Sequence, residues 1–203
     1  GLNVVLPPTH MMLRTIALND QKTYPWFAPA GTNRGVINNI DSTGYVTSTG
    51  KYQTVSLNNG LRDTLAEIKV NPITYLDGQG IVNFGQYTRS SVSSSLDRIN
   101  VARLVVWLRR QLDKATKPYL FEPNDVSTRK QAKHAIESIL TDLVAKRALN
   151  DYFVQCDGQN NTPDRIDRSE LWIDIAIEPM KAVEFIYIPL RLKNTGEIKL
   201  TGL

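Results

Sequence analysis

The stretch LDRINVARLVVWLRRQLDKATKPYLFEPNDVSTRKQAKHAIESILTDLVAKR, residues 96–147, decides the fold. Val101, Leu104, Val105, Leu108 and Leu112 recur at helical spacing, which predicts a helix over Leu96–Thr116. Ile99, Val106 and Trp107 widen the apolar stripe, so burial over more than half of its circumference is expected. Pro118 lacks an amide donor and stops this helix. Tyr119–Phe121 reads as a short strand and Glu122-Pro-Asn-Asp125 as a turn. A second helix follows, capped by Asn124, Asp125 or Ser127, whose side chains accept from otherwise orphaned amides. Its stripe is Ala132, Ile136, Ile139, Leu140, Leu143 and Val144, and Lys146 and Arg147 suit the negative end of its dipole.

Beyond the second helix the period changes from helical to alternating. Tyr152–Cys156 predicts a strand, and Asp157–Arg168 a polar loop containing Gly158 and Pro163. Over Glu170–Glu178, Leu171, Ile173, Ile175 and Ile177 share one face, with Trp172, Asp174 and Ala176 on the other. Ala182–Leu192 is apolar on both faces, which predicts a strand covered on two sides, with its ladder open or bulged at Pro189.

The N-terminal side is less regular. His10–Leu18 reads as a short helix and Tyr24–Asn39 as a surface loop punctuated by Pro25, Pro29, Gly31 and Gly35. Ser42–Tyr52 reads as a hairpin with turns at Gly44 and Gly50. A helix over Leu61–Ile68, with Asn58 or Asn59 as cap, precedes strands Ile73–Leu76 and Ile81–Tyr87 joined by Asp77-Gly-Gln-Gly80. Ser90–Ser95 reads as a serine-rich linker. This order predicts an α+β fold, a mixed β-sheet packed by two long helices. A loop-rich part, residues 1–60, would precede the α+β domain of residues 61–192.

Composition narrows the chemistry. Of 203 residues 41% are hydrophobic, enough for a core, yet no apolar run reaches the roughly 18 residues a bilayer span needs. The opening Gly1-Leu-Asn-Val-Val-Leu-Pro-Pro8 has neither the basic region nor the cleavage site of a secretory leader. Glycine in place of an initiating Met is expected of a piece of a longer chain. The single Cys156 leaves no internal disulfide and reads as a small buried hydrophobe.

Net charge is +4, unevenly spread. Residues 97–117 hold six bases against two acids, and residues 127–147 five against two, so the remainder is slightly acidic. Two solvated helix faces explain this pattern; a basic surface that docks an acidic polymer explains it more sharply.

Catalytic and metal constellations are hard to assemble. His10 and His134 have no partner at ligand spacing, so no metal site is expected. Asp164, Asp167 and Glu170 alternate with Arg165 and Arg168, a pattern of neutralised pairs more than of an acid–base couple. Gly78-Gln-Gly80 lacks the third glycine and the following helix of a phosphate loop, so no nucleotide cofactor is expected. Trp107 lies among Arg103, Arg109 and Arg110 but belongs to the apolar stripe. Asn160-Asn-Thr162 matches a glycosylation acceptor by accident of composition.

A set of ordered local matches then points to a family. These are Asn100-Val-Ala-Arg-Leu104, Leu112-Asp-Lys-Ala-Thr-Lys-Pro-Tyr-Leu-Phe-Glu-Pro-Asn-Asp125, Phe153-Val-Gln-Cys-Asp157 and Asn160–Arg168. Glu178-Pro-Met-Lys-Ala-Val-Glu-Phe-Ile186 and Tyr24-Pro-Trp-Phe-Ala-Pro-Ala-Gly31 complete the set. Together they resemble the C-terminal, tube-facing domain of contractile bacteriophage tail sheath proteins, over roughly residues 8–195 and most weakly at 37–58.

The resemblance implies a structural subunit and no enzyme. Such subunits form a helical homo-oligomer around an inner tail tube protein, with baseplate and tail terminator proteins at its ends. Contraction drives the tube through the host envelope, and the particle is a virion tail assembled in host cytoplasm. Neighbours interlock by terminal arms that add strands to one another's sheets. The implied arm is Leu190–Leu203 (193–203 as a unit), with Glu197, Ile198, Lys199 and Leu200 as its strand; its amino-terminal counterpart would precede Gly1. The implied tube contacts are Arg129, Lys130 and Lys133 on the second helix. The resemblance involves neither membrane insertion nor nucleic acid, and it also fits a phage-derived injection particle. Two rival classes are a nucleic-acid-binding module using basic helices 97–117 and 127–147, and a hydrolase using Cys156 or the acidic loop.

Overall fold

The computed structural model describes residues 4–184 and 186–188. In chain order it contains α1 (Pro8–Lys22), α2 (Gly31–Arg34), β1 (Gly44–Val46), β2 (Tyr52–Thr54), α3 (Asn59–Glu67), β3 (Ile73–Leu76) and β4 (Gly80–Asn83). There follow α4 (Ile99–Thr116), α5 (Val126–Ala145), β5 (Leu149–Gln155), α6 (Pro163–Asp167) and β6 (Asp174–Pro179). Short 3₁₀ turns at Ser95–Asp97 and Lys117–Tyr119 bracket α4.

The α+β class and the two long helices are as expected. The sheet component is divided: among the described residues it forms three separate two-stranded ladders, β1–β2, β3–β4 and β5–β6, all antiparallel. Two of these are local hairpins, and a short connection forces the antiparallel arrangement. The implied arm, with Glu197, Ile198, Lys199 and Leu200, lies outside the described residues.

The core follows from the two periodicities. α4 buries Val101, Leu104 and Leu108, while α5 buries Ala132, Ile136, Leu140 and Leu143. Leu104, Leu108, Ile136, Leu140 and Leu143 cluster with Leu149 and Val154 of β5, and Ile173, Ile175 and Ile177 pack against them. Fully burying each such side chain is worth about 1.5–3 kcal/mol. Trp26 enters the same core from the N-terminal region. It stacks on Tyr24 at 4.7 Å, meets Trp107 edge-on at 5.2 Å, and donates its indole N–H to the Lys146 carbonyl at 3.1 Å. Residues before 60 therefore contribute to the core of the helices.

Capping resolves the alternatives left by the sequence. Asp125 accepts from the Thr128 amide at 2.7 Å, and Asn58 accepts from the Leu61 amide at 2.9 Å. Both satisfy donors that a helix start leaves orphaned.

Several local expectations are corrected. Tyr119–Phe121 is no strand: the chain leaves α4 through a 3₁₀ turn, and Phe121 is left-handed at φ 70° and fully exposed. Pro118 holds the helical φ, so the reversal into α5 falls on the residues after it. Gly44 lies within β1 opposite Thr54, and the turn is at Thr47–Gly50. A Cβ at Gly44 would come within 2.1 Å of the Gln53 carbonyl oxygen, so this glycine permits close strand approach.

Val106 is 54% exposed, so the buried stripe of α4 is narrower than its apolar composition suggests. The polar loop contains α6. Residues 182–184 and 186–188 form no strand and are exposed. Their apolar side chains find no covering element among the described residues, so the two-sided cover expected for this segment is absent there.

Candidate interaction surfaces

The residues considered for chemistry turn out to be scaffolding. Among the described residues, no group of three or more His, Cys, Asp or Glu is placed to hold a metal ion. Cys156 is 3% exposed, and burial pushes its thiol up against the opposing pull of Arg129 and an Asn161 hydrogen bond. A thiol held protonated is a poor nucleophile. His134 lies on the exposed side of α5.

In the acidic loop, Arg168 bonds Glu170 at 2.9 Å, and the Trp172 indole donates to the same carboxylate at 2.8 Å. These two bonds hold the Glu170 carboxyl below the usual range. Arg165 lies 3.8 Å over the Trp172 ring and donates to the Asn160 carbonyl at 2.5 Å.

Sequence reasoning missed the purpose of Asn160-Asn161. Both are buried, and Asn160 donates to the Gln155 carbonyl and to Asp174, while Asn161 exchanges bonds with the Trp172 backbone. The pair ties the end of β5 to the start of β6. Polar residues this well satisfied specify geometry. Asn160 also accepts from the Asp157 backbone amide at 2.9 Å.

The three basic positions singled out on α5 separate. Arg129 is only 9% exposed and donates to the Asn124 carbonyl at 3.0 Å and its side-chain oxygen at 2.9 Å. Asn124 in turn donates to the Glu170 carbonyl at 2.8 Å. Arg129 therefore anchors the start of α5 and presents little of its side chain at the surface. Lys130 is exposed, and Lys133 is partly exposed with Glu137 at 3.7 Å. On α4, Arg103 pairs with Asp20 of α1, while Arg109, Arg110 and Lys114 remain exposed. Trp107 packs in the core, so it offers no ring among these cations on which a base would stack.

The β5–β6 pair supplies the other surface. Its register runs from Leu149↔Pro179 to Gln155↔Asp174, with an irregularity between Leu149 and Asp151. Among the described residues neither strand pairs with a third, so two rows of backbone groups stand open. The chain leaving β6 is pinned twice, by the Met180 amide on the Ala148 carbonyl and by Glu184 on Arg98. Ile186, Tyr187 and Ile188 then lie exposed.

Comparison with known proteins gives this geometry a context. A family model described as the phage tail sheath C-terminal domain matches residues 91–193. The tail sheath protein of Vibrio phage KVP40 is 37% identical over 170 residues, covering 84% of this chain and 24% of that protein. The tail sheath protein of Enterobacteria phage T4 is 34% identical over 189 residues, covering 92% and 27%. The chain thus spans about a quarter of the length of these curated relatives. Among solved structures, the contracted helical sheath of the anti-feeding prophage superimposes with a TM-score of 0.80 at 25% identity, covering 94% of this chain and 52% of that one. The contracted sheath of an extracellular contractile injection system matches with the same TM-score at 22% identity, a likeness of fold.

Proposed function

Because the chain belongs to the phage tail sheath family through its C-terminal domain, we propose that it is the tube-facing unit of a contractile sheath subunit, working by assembly and rearrangement. The observation that carries the reading is the β5–β6 pair, a two-stranded ladder with two open edges beside an exposed apolar segment. The helices already support its inner face, so what it lacks is pairing for its edge backbone groups, and strands from neighbouring copies would supply that. Residues 197–200 supply such a strand in this reading, residues 61–192 form the conserved unit, and residues 1–60 form a loop-rich part before it.

The subunit polymerises as a helix around an inner tube, joins baseplate and terminator proteins at its ends, and belongs to a virion tail assembled in host cytoplasm. Contraction switches the inter-subunit contacts between two arrangements and drives the tube through the host envelope. Lys130 and Lys133 hold the tube. Exposed ion pairs of about 0–1 kcal/mol each suit a contact that must be released stepwise. Electron microscopy of the full-length sheath subunit, with both terminal arms, and tail tube tests the reading. Hollow sheath-like cylinders support it, and persistent monomers with tube present refute it.

A further inference from the structure

The two faces of the β5–β6 pair are chemically opposite. The inner face joins the apolar core through Leu149, Val154, Ile175 and Ile177. The outer face exposes Asp151, Phe153, Asp174, Ala176 and Glu178, and neither strand contains a lysine or arginine. Phe153 is 60% exposed and sits opposite Ala176. Among the described residues none of the three carboxylates has an ion-pair partner within 4.0 Å; they accept from Asn160, Asn150 and the Tyr152 amide. An aromatic ring flanked by uncompensated carboxylates is left uncovered on this face.

Helix α4 carries the complement. Arg109, Arg110 and Lys114 are exposed, and none of them is in an ion pair among the described residues. Val106, three and four residues before the two arginines, shares their exposed face and offers an apolar side chain flanked by cations. Leu104 and Leu108 of the same helix point to the core that the inner sheet face also meets. The acidic sheet and the basic ridge therefore face away from that common core.

We propose that the acidic outer face of β5–β6 in one copy docks on the α4 ridge of a second copy, Asp151, Asp174 and Glu178 meeting Arg109, Arg110 and Lys114 around Phe153 and Val106. This rests on the sheath reading and deepens it by naming a contact between subunits. A second copy is the fitting occupant because the same molecule carries both halves of the pattern, and the carboxylates would repel nucleic acid. The two patches differ, so the contact is heterologous and leaves one of each free at the ends, the arrangement that propagates into a filament. Charge sets orientation and encounter rate, while the apolar pair excludes water at the centre. The contact uses side chains other than Lys130 and Lys133, so it does not compete with them for the tube.

Two charge-reversal variants test it: Asp174→Lys with Glu178→Lys, and Arg109→Glu with Arg110→Glu. Sedimentation at low ionic strength is expected to show self-association weakened about tenfold or more in each variant, and restored when the two are mixed. Added salt weakens it in the unmodified protein. Near-UV circular dichroism checks the core, and the milder Asp174→Asn with Glu178→Gln, which keeps the shape, should weaken association by an intermediate factor. Unchanged association in both reversals, or no recovery on mixing, overturns the proposal. If both variants still form cylinders around tail tube, the contact is wrong and the sheath reading stands. If the unmodified full-length subunit forms none, the sheath reading itself falls.

Discussion

Arg98 and Glu184, 86 residues apart in the chain, meet in a two-pronged ion pair with bonds of 2.6 and 2.8 Å. Gln86 donates to the same carboxylate at 3.0 Å, and the guanidinium lies 4.4 Å over the Tyr87 ring. Burial pushes the Glu184 carboxyl up, but the bonds from Arg98 and Gln86 outweigh it and hold it below the usual range. A depressed carboxylate stabilises the fold above its unfolded value, about 4.3, and loses that contribution as pH falls through its folded value. Glu184→Gln is therefore expected to cost roughly 1–2 kcal/mol at neutral pH. The difference from the unmodified protein should shrink below about pH 4. Urea unfolding at the two pH values measures it.

Arg129 and Lys130 are adjacent in sequence and opposite in consequence. Arg129→Ala removes two bonds to Asn124 and is expected to destabilise by about 1.5–3 kcal/mol. Lys130→Glu, on the exposed side, should change stability by no more than about 0.5 kcal/mol. In the proposed sheath it would instead weaken assembly on tail tube. Denaturant midpoints and a tube co-sedimentation assay separate the two effects.

Trp26 links the N-terminal region to both long helices through Trp107 and the Lys146 carbonyl. Trp26→Ala is expected to cost about 3–5 kcal/mol, the range for emptying a large core position. Trp26→Phe keeps most of the ring contact and loses the N–H bond, so its cost should be nearer 1 kcal/mol. Thermal unfolding of the two variants distinguishes packing from hydrogen bonding.

Cys156 is expected to react with a thiol reagent far more slowly in the native protein than in denaturant, because it is buried and its thiol is pushed up by that burial. The half-time of labelling at neutral pH measures this. Rapid native labelling would contradict the packing at the end of β5.

Phe121 is held left-handed with its whole side chain in solvent. Phe121→Gly should keep stability or raise it by up to about 1 kcal/mol, since strain is relieved and no burial is lost. Phe121→Pro, which cannot adopt this φ, should lower it. Chemical denaturation of both variants provides the comparison.

The elements legible in the sequence were those whose side chains repeat with one period. Leu104, Leu108, Ile136 and Leu140 marked the helices, and Ile175 and Ile177 marked the inner face of β6, because local spacing and tertiary burial agree there. Misreadings came where a residue type works against its usual role. Arg129 is a cation turned inward, Phe121 an aromatic turned outward, and Gly44 a strand residue selected for closeness. The segment after β6 carries an apolar pattern suited to burial, yet Val183, Ile186, Tyr187 and Ile188 are exposed. The Asn160-Asn161 tie was missed because its partners, Gln155, Trp172 and Asp174, converge only after folding.

The three tryptophans are distributed so that intrinsic fluorescence can separate two events. Trp26 and Trp107 touch inside the protein, whereas Trp172 sits at the solvent margin beside the acidic strands. Excitation of a Trp172→Phe variant would report loss of the interior alone, and the emission difference from the parent would follow changes at that margin. Growth of the proposed filament would thus be timed without attaching a dye.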